Sequence, residues 1–164
     1  MGLSLYKIDE QYNKKLFNLD NKVLDVSAYK AKRPFIGILI EVNDIKYVAP
    51  LSSPKKKHLT MKNNIDFYKI DSGKLGVINF NNMIPVKDEY IIKINPSIME
   101  VNDKEDIKYI KLLEKQLTWI NKQSNVERII KKAKKLRELY FQNRLPKTIY
   151  DRCVDFRLLE KNII

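Results

Sequence analysis

Two β-rich runs, residues 35–42 and 45–51, are separated only by Asn43 and Asp44. So short a connection makes the second run fold back antiparallel against the first. Asn-Asp is turn chemistry, although a weaker signal than Asn-Gly. Ser52-Ser53-Pro54 ends the second strand, because Pro54 has no N–H to give to a ladder. An antiparallel pair sets the start of one strand beside the end of the other. Whatever precedes Phe35 is therefore expected near whatever follows Leu51.

Around this hairpin the sequence reads as short strands followed by helices. Residues 3–8 alternate apolar and polar side chains, as a strand does. Asp9 is placed to cap a helix with Tyr12, Leu16 and Leu19 on one face, and residues 18–32 read as a loop. Residues 67–70, 75–80 and 90–94 read as strands. Asp71-Ser72-Gly73 is a turn, and Asn81-Asn82 opens another before Met83-Ile84-Pro85-Val86. The final third changes period. Ile107, Ile110, Leu113, Leu117 and Ile120 recur at helical spacing behind a cap at Asp103, with Trp119 placed in the core. Ser124-Asn125-Val126-Glu127 has the pattern of a capping box. It starts a helix with Val126, Ile129, Ile130, Ala133, Leu136 and Tyr140 on one side. Pro146 closes that helix, and residues 150–160 form a short last one in which Cys153 is a small, buried or half-buried residue. The sum is a single α+β domain spanning residues 1–164. Its sheet is curved and mostly antiparallel, it is packed with helices, and its C-terminal third is helical.

Charge narrows what such a domain can serve. Lys and Arg number 32 against 20 Asp and Glu, a formal net charge of +12. A compact domain with that much like charge repels itself, and usually does so to meet a polyanion. Nucleic acid leads over an anionic membrane surface, because no segment joins a bulky apolar face to a lysine-rich one strongly enough to favour the membrane. No run approaches the roughly 18–20 apolar residues needed to span a bilayer, and the N-terminus lacks the pattern of a signal peptide. A cytoplasmic protein is expected.

The residue inventory also limits the chemistry. His58 is the only histidine, so a ribonuclease using a histidine pair as acid and base is excluded. There is no Gly-x-Ser-x-Gly elbow and no glycine-rich phosphate loop. The lone Cys153 forms no internal disulfide and no cysteine-based zinc site. The dense acidic cluster Glu100, Asp103, Glu105 and Asp106 sits at a helix start, where acidic residues favour the dipole anyway. No metal site and no cofactor are expected. Cleavage by this chain would rest on hydroxyls, lysines and arginines. RNA suits such a site because its 2′-OH is a nucleophile already beside the scissile phosphate. The protein need only position the sugar, help move protons and stabilise the phosphorane.

Two stretches carry the residues for this. One is Tyr29-Lys30-Ala31-Lys32-Arg33-Pro34-Phe35-Ile36-Gly37; the other is Tyr47-Val48-Ala49-Pro50-Leu51-Ser52-Ser53-Pro54-Lys55-Lys56-Lys57-His58. The hairpin would bring Tyr29, Arg33, Ser52, Ser53 and Lys55 toward one phosphate. With Gly76-x-Ile78-Asn79 and Met83-Ile84-Pro85, these motifs closely resemble the ToxN/AbiQ family of type III toxins. The resemblance covers roughly residues 1–100 by motif.

That resemblance implies a metal-independent, sequence-preferring endoribonuclease that cuts adenine-rich sites to a 2′,3′-cyclic phosphate. It implies a sheet like that of the Kid/MazF ribonucleases. The expected partner is an antitoxin RNA of tandem pseudoknot repeats, which the toxin processes and which inhibits it in a ring-like assembly, commonly three of each. Cellular or phage RNA is the expected substrate, and abortive phage defence the expected role. The family's essential serine falls on Ser53, its active-site lysine on Lys55 and an active-site tyrosine on Tyr29. Ser52 stands where threonine is common. A family lysine falls on Arg33 with Lys32 beside it, leaving open which of the two meets phosphate; arginine there supplies charge only. Ser53 is expected to hydrogen-bond the phosphate or relay the 2′-OH proton. Lys55 would neutralise the phosphorane and is a candidate for acid–base work. Tyr29 would orient the sugar or a base. Lys56 and Lys57 are assigned to RNA, and His58 either touches RNA or is a surface or capping residue. Lys131, Lys132, Lys134 and Lys135 either form the wet face of a helix or grip antitoxin phosphates. A non-catalytic RNA-binding module and a ribonuclease toxin with a protein antitoxin are the competing classes.

Overall fold

The computed structural model describes residues 2–25 and 35–163. Its centre is the hairpin of β2 (Ile36–Val42) and β3 (Ile45–Ser52). Asn43 and Asp44 both take the left-handed backbone (φ 50° and 66°), as a two-residue hairpin turn requires. Their registry pairs Val42 with Ile45 and runs to Gly37 opposite Pro50. On its other side β3 changes partner. Residues 46–48 pair with β6 (Ile84–Val86), and Leu51 and Ser52 pair with β5 (Val77–Asn79). Pro50, which has no N–H to donate, falls in the break between those two ladders.

β1 (Leu5–Ile8) pairs with β2 and with β7 (Ile91–Ile94), and β4 (Phe67–Lys69) pairs with β5. The order β4-β5-β3-β2-β1-β7, with β6 also on β3, makes an open sheet in which these pairings are antiparallel. Helix α1 (Glu10–Leu19) starts where the Asp9 carboxylate accepts from the Tyr12 amide at 2.9 Å. Tyr12 is buried, stacks on Tyr90 at 4.1 Å between ring centres, and donates its hydroxyl to the Pro85 carbonyl at 2.6 Å. Helix α2 (Lys56–Thr60) follows β3 directly. The C-terminal third holds α3 (Lys104–Ile120), α4 (Asn125–Phe141), α5 (Lys147–Arg152) and α6 (Phe156–Lys161). Asp103 caps α3 through the Asp106 amide. Helix α4 packs on β2, and α6 on β6 and α4.

Several local readings change. Ser124 makes no capping bond; it takes a helical backbone, and Gln123 (φ 41°) turns the chain instead. Helix α4 stops before Pro146, where Asn143 adopts φ 57°. Residues 150–160 form two helices rather than one. Cys153 is extended, the Val154 amide turns to the Asn81 carbonyl at 2.9 Å, and Asp155 caps a new helix through the Leu158 amide. Asn18 and Leu19 close α1 rather than opening a loop, and the 75–80 strand shortens to β5. Ile107 is exposed because burial along α3 begins at Ile110. Trp119 is half-buried against the core beside Tyr68. Cys153 is buried, and burial pushes its thiol up to about 12, so it is no nucleophile near neutral pH.

One buried polar knot joins sheet and helices. The Tyr47 hydroxyl on β3 donates to Glu160 on α6, and Arg137 on α4 forks onto the same carboxylate at 2.8 and 2.7 Å. The two charged side chains are only 12% and 11% exposed. Removing one member strands the other, which costs about 3–5 kcal/mol for a buried pair. Glu160→Ala should therefore lower the melting midpoint by about 10 °C or more. Tyr47→Phe leaves the ion pair intact and should cost only about 1 kcal/mol. Thermal unfolding of both variants checks the difference.

Candidate active site

The site is built where β3 runs out. Ser52 is its last paired residue, and its registry with Val77 brings the β4–β5 hairpin against the strand end. That approach requires Gly76, which sits at φ 95° with room for no side chain: a Cβ there would lie 1.9 Å from the Ser52 carbonyl oxygen. From the other side α3 contributes Gln116, buried among apolar neighbours. Its Nε2 donates to the Ser52 carbonyl at 3.2 Å and the Leu75 carbonyl at 2.8 Å, tying the end of β3 to the turn before β5. Asn79 on β5 donates its amide to the Ser52 Oγ and so fixes that hydroxyl's direction.

Beyond Ser52 the chain leaves the sheet, and Ser53, Pro54 and Lys55 are exposed. A tight local lock sets their course. The His58 amide donates to the Lys55 carbonyl at 2.9 Å, and the Lys55 amide donates to His58 Nδ1 at 3.0 Å. His58 is buried rather than a surface residue, so the capping alternative holds. Gly73 (φ 90°) lets the preceding turn of the β4–β5 hairpin press on it, since a Cβ there would lie 2.1 Å from the His58 carbonyl oxygen. The Lys69 Nζ donates to the Met61 carbonyl at 2.9 Å and closes the end of α2.

These elements wall a cavity of about 610 Å³. Ser52, Ser53, Lys55, Lys57 and His58 line it; Lys56 is exposed on the same helix but does not. Tyr29, Lys32 and Arg33 lie outside the described residues. The pattern alone missed other lining groups: Asn79, Asp66, Asn81 and Arg152. Asp66 is fully buried. It accepts from Arg152 Nε and Nη2 at 3.0 Å each and from Asn81 Nδ2 at 2.9 Å. The Asn81 Oδ1 is buried without a donor among the described residues. Asn79 stood inside a quoted motif, and Gln116 continues the Leu113–Ile120 helical register with an amide. No local signal marked Asp66 or Arg152, whose pairing spans the chain.

The lysines of α4 lie on a separate shallow groove beside Tyr68. Lys131, Lys134 and Lys135 are exposed. Lys132 is half-buried. It donates to the Asn64 and Phe67 carbonyls and stands 5.5 Å over the Tyr68 ring, so it braces β4. Burial holds its ammonium below the ordinary lysine value, against the pull of Asp66. Among the described residues no three His, Cys, Asp or Glu side chains gather to hold a metal, and no helix is long and apolar enough to cross a membrane.

A basic α+β domain whose central strand ends in a cavity of hydroxyls and cations defines a class of protein equipped to handle a polyanionic strand. The chain belongs to the ToxN family of type III toxin–antitoxin toxins: the family model "Toxin ToxN, type III toxin-antitoxin system" matches residues 4–163. It is an endoribonuclease toxin. It is 32% identical to Endoribonuclease ToxN of Pectobacterium atrosepticum, over 97% of this chain and 91% of that one. It is 26% identical to Endoribonuclease ToxN of Bacillus thuringiensis subsp. kurstaki, over 95% and 80%. Among solved structures, one described as "A processed non-coding RNA regulates a bacterial antiviral system" superposes with a TM-score of 0.77 at 28% identity, covering 98% of this chain and 96% of that one. The fold is also that of AbiQ, a lactococcal anti-phage endoribonuclease (TM-score 0.67, 21% identity, 99% and 96% covered). Family membership sets aside both the non-catalytic module and the toxin with a protein antitoxin.

The His58 lock predicts a pH response. Burial, then Lys57 and Lys55, hold the imidazole below its ordinary value of 6.5. Its Nδ1 must stay unprotonated to accept from Lys55. Between the lowered native value and 6.5 the unfolded chain binds a proton that the native chain refuses, so stability falls as pH drops through that window. Thermal melts from pH about 7.5 to about 5 should show this loss in the wild type. His58→Ala should be less stable at neutral pH and lack that component.

Proposed function

We propose that the cavity at the end of β3 is where this toxin cleaves RNA, without a metal, by attack of a ribose 2′-OH on the adjacent phosphate. The 2′-oxygen–phosphorus bond forms while the bond from phosphorus to the 5′-oxygen breaks. The products are a 2′,3′-cyclic phosphate and a free 5′-OH. One proton leaves the attacking hydroxyl and another reaches the departing oxygen. What carries this reading is that Ser52, Ser53 and Lys55, from one short corner, line a single cavity, with the Ser52 Oγ already oriented by Asn79.

In this reading Ser53 hydrogen-bonds the scissile phosphate or relays the 2′-OH proton, while Lys55 offsets the charge that grows on the phosphorane. Ser52 holds a nonbridging oxygen. Tyr29 and Arg33, with Lys32, complete the site from the segment before β2. Lys56 and Lys57 meet the flanking backbone, and the Lys131, Lys134 and Lys135 face of α4 takes antitoxin phosphates. Lys132 takes part only by holding β4. His58 acts from below, as the lock on the Ser53–Lys55 corner.

The inhibitor in this proposal is a pseudoknot RNA of tandem repeats that the toxin itself processes. Toxin and RNA close into a ring-like assembly, commonly three of each in such systems, in the cytoplasm, with the whole chain acting as one unit. Solved relatives support the RNA partner. One is described as regulated by a processed non-coding RNA, and a second, at 24% identity with a TM-score of 0.71, by "selective toxin inhibition by a non-coding RNA pseudoknot". The role proposed is abortive defence against phage.

Ser53→Ala should lower single-turnover cleavage of a mixed-sequence transcript by about 100-fold or more without shifting the melting midpoint. Wild-type cleavage should persist in excess chelator and leave ends that resist phosphatase until mild acid opens them to a mixture of 2′- and 3′-phosphates. A Ser53→Ala protein that cuts at the wild-type rate, or a wild type silenced by chelator, would overturn the respective claim.

A further inference from the structure

We propose that Arg152 is a substrate-binding residue of the cleavage site, gripping a nonbridging oxygen of the scissile phosphate, and that Asp66 is the positioning residue that aims it. The proposal rests on the reading of the β3 cavity as the cleavage site and adds to it a cation from the far end of the chain.

The argument starts from an asymmetry of burial. The Asp66 side chain is fully buried while its partner Arg152 is 47% exposed. Leaving the guanidinium half exposed spares it full desolvation and keeps its far edge open to a ligand. Here the carboxylate is covered while the half-exposed guanidinium lines the same cavity as Ser53 and Lys55. Asp66 takes the Nε and one Nη2 hydrogen in a fork, and Asn81 braces the same carboxylate. The remaining Nη1 and Nη2 hydrogens meet no acceptor among the described residues. Nε and Nη2 form one edge of the planar guanidinium, so once that edge is tied down the rest is directed away from Asp66.

The chemistry of the site calls for such a group. The phosphorane carries one more negative charge than the phosphodiester, and a donor already in place stabilises it without reorganising. Lys55 and Lys57 are exposed cations on flexible stems, whereas Arg152 is held on its carboxylate. A guanidinium also offers paired N–H groups that match two oxygens of one phosphate. The Asp66 carboxylate has no exposed surface, and its bonds to Arg152 and Asn81 occupy both of its oxygens.

The test compares Arg152→Ala, Arg152→Gln, Arg152→Lys and Asp66→Asn with wild type and Ser53→Ala in one single-turnover assay on the mixed-sequence transcript. Thermal melts are recorded for each. The expected result is a loss of about 100-fold in the rate for Arg152→Ala and Arg152→Gln. Arg152→Lys should recover little, because a lysine keeps the charge but not the fork. Asp66→Asn should lower the rate while RNA binding stays close to wild type. Binding of a 2′-O-methyl oligonucleotide, which cannot be cut, should lose about one unit of salt slope in Arg152→Ala, a change that a purely structural pair would not produce. Wild-type rates and slope in the folded Arg152 variants, with Ser53→Ala inactive, would overturn the Arg152 assignment and leave the cavity as the site. Wild-type rates in Ser53→Ala as well would overturn the reading of the cavity. Loss of the native fold in every Arg152 variant, lysine included, would make the pair structural and overturn the proposal.

Discussion

The close approach of Gly76 to the Ser52 carbonyl is the contact on which the working end of the molecule depends. It lets β5 pair with the last two residues of β3, and without it the β4–β5 hairpin could not reach the strand end. The hairpin then brings Asn79 onto the Ser52 hydroxyl and Asp66 beneath Arg152, while its turn presses on His58. A backbone position with no Cβ thus lets the hairpin that carries Asn79 close on the strand end. Gln116, reaching across from α3, donates to the Ser52 and Leu75 carbonyls on either side of this contact.

Division of labour between sheet and helices follows from the same geometry. Strand β3 is the shared beam. One side carries β2, the other carries β6 and then β5, and the Tyr47–Glu160–Arg137 knot anchors its middle to α4 and α6. The strand is therefore rigid up to Ser52 and free of the sheet from Ser53 onward. Hydroxyls and cations placed where a rigid strand leaves its sheet are held in position yet stay open to a polymer chain. The surplus of positive charge draws RNA to the surface, and the cavity combines hydroxyls, a guanidinium held by a carboxylate, and oriented amides.

Features encoded locally were legible in the sequence. The two-residue loop and the apolar alternation beside it predicted the central hairpin, the Asp9 and Asp103 caps were visible one turn ahead of their helices, and the Ser52–Lys55 corner stood in a spaced motif. What escaped depended on distant partners. Asp66 and Arg152 each look like an ordinary surface charge until the fold joins them. Gln116 looks like a solvent-facing amide in a lysine-rich helix, although its register with Leu113 and Ile120 places it inward. Ser124 and Glu127 failed as a capping box because the turn at Gln123 delivers Ser124 already helical. The break at Cys153 and Val154 depends on the Asn81 carbonyl, which no reading of residues 150–160 alone contains. Tyr29, Lys32 and Arg33 rest on the motif and on their place before β2.

The central claim is that the scissile phosphate sits in the cavity where β3 ends. A crystal structure of the toxin with an oligonucleotide methylated at the 2′-oxygen, so that it cannot react, tests this most directly. The account predicts a phosphate within hydrogen-bond distance of the Ser53 Oγ and the free edge of Arg152, with the capped oxygen in line behind it. A phosphate backbone that instead passed over another face, leaving this cavity to solvent, would contradict it.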